Sequence, residues 1–96
     1  MNHNYQNNNT FSFEITKRIP GQLGRAGIIH TPHGDIKTPA FMCVGTYGEV
    51  RFMSMEDLHA INAQAMLSNG YHLRNISPEI AQKGGLAAWS GWNGPH

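Results

Sequence analysis

Two short runs of uninterrupted apolar residues, Ala40-Phe-Met-Cys-Val44 and Ala65-Met-Leu67, begin about 24 residues apart, and each is followed by helix signals. Runs of this kind mark strands buried on both faces, as in parallel sheets, and parallel neighbours need a crossover that is usually a helix. The crossover is written between them. Ser54 stands at an N-cap position with Asp57 three residues on as an acidic capping-box partner, and Met53 is placed to staple against Leu58. Leu58 and Ile61 are expected to form the buried stripe of that helix. After the second run come Ser68-Asn-Gly-Tyr71, then Ser77-Pro78 opening a further helix with Pro at its first position, stopped at Gly84-Gly85. Residues 39–96 therefore read as strand, helix, strand, helix, the first two βα units of an α/β architecture.

Two such strands cannot bury their own faces. A (β/α)8 barrel needs about 250 residues, and an open doubly wound sheet usually needs about five or six strands. The 96 residues here hold too little of either, and the sequence closes on "WSGWNGPH", where a loop would deliver the chain into a third strand. That ending is expected to be an internal junction exposed by truncation.

Upstream the texture differs. Phe11-Ser-Phe-Glu-Ile-Thr16 alternates apolar and polar residues, the period-2 signature of a strand with one buried face, so Phe11, Phe13 and Ile15 are expected to point inward together. Pro20-Gly21 breaks the strand, and Gly27-Ile-Ile-His30 supplies its hairpin partner. Thr31-Pro-His-Gly34 suits a type I turn, and Asp35-Ile-Lys-Thr38 returns as a third strand. Residues 11–38 are read as a small antiparallel β-meander, and residues 1–10 as a disordered Asn-rich tail. Lys17, Arg18 and Arg25 bracket one turn and read as a solvated hairpin end.

Composition narrows the function classes only modestly. With 7 Lys and Arg against 6 Asp and Glu, the net charge of +1 announces no polyanion partner. A single cysteine excludes an internal disulfide framework. The first residues, MNHNYQNNN, have neither the basic nor the apolar region of a signal peptide, and no apolar run approaches the ~20 residues of a membrane span. The expected compartment is cytoplasmic, with no membrane partner.

Three stretches, "TPHGDIKTPAFMCVGT", "LSNGYHL" and "KGGLAAWSGWNGP", occur in an order and at spacings that resemble the N-terminal segment of the tRNA-guanine transglycosylases, the queuine tRNA-ribosyltransferases of the queuosine pathway. The resemblance covers residues 11–95. It departs from the family pattern at Cys43, where proline is usual, at Ser68 and Gly70, where glycine and threonine are usual, and at Asn75-Ile76-Ser77. It implies that the chain is the N-terminal fragment of a (β/α)8 TIM-type barrel preceded by the β-meander. It further implies exchange of guanine at the anticodon wobble position of tRNA for a 7-deazaguanine base, and a homodimer in the full-length form. The family's structural zinc, held by three cysteines and a histidine, and its catalytic aspartates are implied to lie beyond His96, leaving this chain inactive alone and without a cofactor of its own.

Breaking and remaking an N-glycosidic bond through a covalent ribose intermediate asks for two carboxylates, one as nucleophile and one to move protons. The residues agree that this pair is absent. Glu14 falls on a strand, Asp35 in a hairpin, and Glu56, Asp57 and Glu79 in first helical turns, where they favour the helix dipole. Glu49 follows a strand end, but a lone acid is not a pair, and no catalytic residue is assigned.

Barrel ligands are met at the C-terminal ends of strands, which here means Val44, Gly45 and Thr46 after the first run and Leu67, Ser68, Asn69 and Gly70 after the second. On residue type alone Val44 and Leu67 are ordinary core. The resemblance implies that they flank the nucleotide sugar, that Asn69 offers its amide to a ribose hydroxyl, and that Gly70 belongs to the same substrate-binding stretch. Tyr71 and His72 read as structural, His72 as a buried histidine satisfied by a carbonyl. His30 and His33, without a third ligand, read as turn and strand rather than metal site. Cys43 reads as a small core hydrophobe, and Trp89 and Trp92 as lids over the barrel base rather than platforms for RNA. A second reading keeps the chain as a non-catalytic RNA-binding or dimerising accessory module.

Overall fold

The computed structural model describes residues 11–96, so the reading of residues 1–10 as a tail lies outside the described residues. The described part is mixed α/β and falls into two compact units, divided between Ala40 and Phe41.

The first unit is one antiparallel sheet in the order β1 (Ser12–Arg18), β2 (Arg25–Thr31), β3 (Gly34–Thr38). Phe13, Ile29 and Ile36 stand in register across one face, and Ser12, His30 and Asp35 across the other. The register slips between Ile15 and Lys17, so Thr16 is bulged and the strand's alternation is interrupted there. The tight β2–β3 connection is held by Thr31, whose hydroxyl donates to the Gly34 carbonyl at 2.7 Å and accepts from the His33 N–H at 3.1 Å. The expectation of three inward residues on β1 needs correction: Phe11, Phe13 and Ile15 are all exposed. The apolar face exists, but among the described residues of this unit no second layer covers it, and β1 is an edge strand of the described sheet. Of that face, only the central residues Ile36 and Gly27 are buried.

The second unit carries β4 (Cys43–Val44), α1 (Met55–Ala60), β5 (Met66–Leu67), α2 (Gly70–Leu73), a 3-10 turn at Arg74–Ile76, α3 (Ser77–Lys83) and α4 (Leu86–Ser90). β4 and β5 pair in parallel, Cys43 opposite Met66 and Val44 opposite Leu67, with α1 as the crossover. Helix α1 begins where the capping box is written: the Asp57 N–H donates to Ser54 Oγ and the Ser54 N–H to Asp57 Oδ2, both at 3.0 Å. It ends at Ala60 with Ile61 as its C-cap, and just beyond, at the left-handed Asn62 (φ 59°), the chain turns so that the Asn62 N–H reaches the His59 carbonyl and the Ala63 N–H that of Leu58. Helix α3 starts with Pro78 in its first turn and stops at Gly84, as its sequence signals predict.

Cys43, Leu58, Met66 and Trp92 form the core of this unit, with Val50, Met53, Met55 and Ala63 packed against them. Met53 thus occupies the stapling position. Ile61, expected in the buried stripe, is exposed because the helix has ended and Ile61 is its C-cap. The runs read as doubly buried are also only half so. Cys43 and Met66 face the core, whereas Phe41, Val44 and Leu67 are exposed. Among the described residues no helix is long and apolar enough to cross a membrane.

Candidate functional site

The two parallel strands end side by side, and backbone bonds tie their exits together. The Gly45 N–H donates to the Leu67 carbonyl at 2.7 Å, continuing the ladder one residue past β4. The Ser68 hydroxyl donates to the Gly45 carbonyl at 2.8 Å. Gly45 is needed for this approach, because a Cβ there would sit 2.5 Å from Met66 Sδ. With Cys43 and Met66 turned into the core, the pleat sends Val44 and Leu67 to the opposite face, 56% and 52% exposed.

That face is the floor of a shallow depression of about 200 Å3 lined by Val44, Thr46, Leu67, Ser68, Asn69 and His72. Three of the four residues predicted for substrate binding, Val44, Leu67 and Asn69, are thereby brought together across a 25-residue span of sequence. The fourth, Gly70, is the first residue of α2 and is not in the lining; a Cβ there would meet nothing within 4 Å.

Asn69 has a structural duty that the sequence reading missed. It is the N-cap of α2, and its Oδ1 accepts the Tyr71 N–H at 2.9 Å. The cap fixes the side-chain rotamer and occupies the carbonyl half of the amide, which leaves the NH2 half to donate. An asparagine just before a short helix is a cap signal, obscured here because Gly70 reads as a helix breaker.

A wider depression of about 600 Å3 adjoins the first through Val44 and Thr46, and is completed by Tyr47, Glu49, Val50 and Arg51. Glu49 is the one carboxylate in either lining. His72 is exposed rather than buried, which corrects the expectation of a carbonyl-satisfied core histidine. Its ring meets Tyr47 at a centroid distance of 6.0 Å and Tyr71 at 5.5 Å. Trp92, in contrast, is core and stacks on His59 at 5.2 Å.

On the polar face of the first unit, His30 joins two acids that lie apart in the sequence, Glu14 and Asp35. Its Nε2 lies 2.9 Å from Glu14 Oε1 and its Nδ1 2.9 Å from Asp35 Oδ1. Only the doubly protonated ring can donate to both. The hydrogen bonds to Glu14 and then Asp35 raise its pKa above the ordinary histidine value. Among the described residues no three His, Cys, Asp or Glu side chains are arranged to hold a metal.

A family model described as "Queuine tRNA-ribosyltransferase" matches residues 21–96. Among curated relatives, the queuine tRNA-ribosyltransferase of Synechococcus sp. strain CC9902 is 47% identical over 87 residues, which is 88% of this chain and 23% of the relative. That of Macrococcus caseolyticus is 45% identical over 89 residues, 91% of this chain and 24% of its own length. That of Thermosynechococcus vestitus is 42% identical over 87 residues, 88% of this chain and 23% of its own. The chain spans about a quarter of the length of these relatives. With a family match over residues 21–96 and these identities across most of its length, the chain belongs to the queuine tRNA-ribosyltransferase family.

Proposed function

We propose that this chain supplies the sugar-side wall of the substrate pocket in a tRNA-guanine transglycosylase, a pentosyltransferase that exchanges guanine at the anticodon wobble position for a 7-deazaguanine. The observation that carries the reading is the meeting of Val44, Leu67 and Asn69 on one uncovered face at the C-terminal ends of two parallel strands. In a (β/α)8 barrel that is the side on which ligands bind. The relatives, named as queuine tRNA-ribosyltransferases, supply the chemistry.

Within that reaction the residues here bind and orient. Val44 and Leu67 offer apolar surface to the carbon face of a ribose and exclude water from it. Asn69, held by its cap, aims its NH2 at a ribose hydroxyl without having to find its rotamer on binding. The covalent steps need two carboxylates, and Glu49 alone is not a pair. The nucleophile, the proton carrier and the structural zinc of the family are accordingly assigned to polypeptide outside this segment, and the chain by itself is inactive. We assign the full enzyme a cytoplasmic location and a homodimeric state.

The test is exchange of labelled guanine into tRNA by protein expressed from the complete reading frame, with Asn69→Ser compared with Asn69→Ala. Serine keeps an N-cap acceptor and removes the amide donor; alanine removes both. Loss of one neutral hydrogen bond, about 0.5–1.5 kcal/mol, raises KM for tRNA roughly two- to thirteenfold, most fully in Asn69→Ala. Only Asn69→Ala also loses about 1 kcal/mol of stability. An unmoved KM in both variants removes the ribose contact. Wild-type protein that binds tRNA without exchanging guanine favours the non-catalytic accessory module.

A further inference from the structure

Asn69 stands between two supports of unequal strength. On its C-terminal side its Oδ1 accepts the Tyr71 N–H, and its backbone carbonyl accepts the N–H groups of His72 and Leu73, both at 3.1 Å. These are the opening bonds of α2, which runs only from Gly70 to Leu73. A helix of that length does not hold itself together, because it is scarcely longer than the nucleus whose formation costs free energy. On the N-terminal side the support comes from the sheet. Each paired strand is two residues long, and the backbone ladder reaches one residue further, where the Gly45 N–H meets the Leu67 carbonyl at 2.7 Å. The next acceptor along that exit, the Gly45 carbonyl, is met by a side chain: the partly buried Ser68 hydroxyl donates to it at 2.8 Å. A carbonyl only accepts, so the hydroxyl proton is committed to this bond. Ser68 thereby extends the pairing of the two chains up to the residue before Asn69.

We propose that Ser68 is a positioning residue, which sets Asn69 at the depression through its hydrogen bond to Gly45 and acts on substrate only through Asn69. The inference rests on the ribose contact proposed for Asn69 and adds what holds that contact in place. Without the bond, residues 68 and 69 regain torsional freedom that binding must remove again, and the cost falls on affinity. The chemical step, assigned to groups outside this segment, does not feel it. The role belongs to the hydroxyl and not to the bulk of the side chain, so threonine can fill it and alanine cannot.

The experiment measures exchange of labelled guanine into tRNA by protein from the complete reading frame, in a double-mutant cycle of Ser68→Ala with Asn69→Ala. Ser68→Ala is expected to raise KM for tRNA roughly two- to tenfold, no further than Asn69→Ala does, with kcat within about twofold of wild type. In the Asn69→Ala background the same substitution is expected to move KM by less than about twofold, since no amide is left to position. Ser68→Thr is expected to keep KM within about twofold of wild type. A wild-type KM in Ser68→Ala overturns the proposal. So does an equal rise in both backgrounds, which would credit a direct contact or a general weakening of the fold, and so does Ser68→Thr behaving like Ser68→Ala. Should Ser68→Ala fail to fold, Ser68→Gly carries the same cycle with the same outcomes. Failure of the underlying reading shows separately: a wild-type KM in Asn69→Ala removes the ribose contact, and this inference with it, whereas a raised KM there beside an unmoved one in Ser68→Ala overturns the positioning role alone.

Discussion

Gly45→Ala tests whether the joint between the two strand ends is as tight as it looks. The backbone of Gly45 is not left-handed, so alanine meets no φ penalty there. The added methyl would instead lie 2.5 Å from Met66 Sδ and 2.9 Å from its Cγ. Carbon contacts are comfortable at about 3.5–4.0 Å, so Met66 must yield by roughly an ångström. It is 1% exposed, among Cys43, Leu58 and Trp92, so any shift is made against packed neighbours. Overpacking of this kind costs about 1–3 kcal/mol, offset by about 0.4–1 kcal/mol because alanine restricts the unfolded chain. The expected net loss is about 1–2 kcal/mol. A double-mutant cycle in urea, on protein from the complete reading frame, isolates the contact. Met66→Ala alone costs about 2–5 kcal/mol, but in its background Gly45→Ala becomes neutral or slightly stabilising. Equal destabilisation in both backgrounds refutes the steric reasoning and moves the cost to the Gly45 backbone bonds or to the Glu49 N–H, 3.3 Å away.

Leu58→Ala empties the centre of the second unit, where Leu58 is 1% exposed, and is expected to cost about 2–5 kcal/mol by urea unfolding; a loss below about 1 kcal/mol would mean that Leu58 does not sit in that core. His30 makes the first unit pH-dependent. Its folded pKa is raised by Glu14 and Asp35, so its contribution is fully present below the unfolded pKa of about 6.5 and is lost as pH rises through the raised value. Hydrogen-exchange protection of β2 and β3, corrected for intrinsic rates, should therefore fall in wild type as pH rises past the ordinary histidine value and through the raised one, and stay level in His30→Gln; parallel curves would refute this assignment.

What was legible in the sequence was what is written locally. Ser54, Asp57 and Met53 announce the start of α1 within four residues, and Gly84 announces the end of α3, because caps and stops are settled by near neighbours. The parallel pairing of Cys43–Val44 with Met66–Leu67 was legible from two apolar runs separated by a helix. Exposure was not, because it depends on which layer lies over a face: Phe11, Phe13, Ile15, Val44 and Leu67 carry core-like side chains on uncovered surfaces. The resemblance named Val44, Leu67 and Asn69, and the pairing of β4 with β5 is what brings the three to one depression. The His72 ring contacts, and the union of Glu14, His30 and Asp35, depend on loop geometry and strand register that residue spacing does not state.

Gly45 donates to Leu67 and accepts from Ser68, so the loops leaving β4 and β5 behave mechanically as one lever. Neither can tilt without stretching both bonds, and the walls holding Tyr47 and Arg51 on one side and Asn69 and His72 on the other keep a common frame. The hydroxyl that completes the lever comes from Ser68, a position where the family pattern has glycine and no side chain to offer. Ser68→Gly would remove that hydroxyl and leave the Gly45–Leu67 backbone bond to couple the two walls alone.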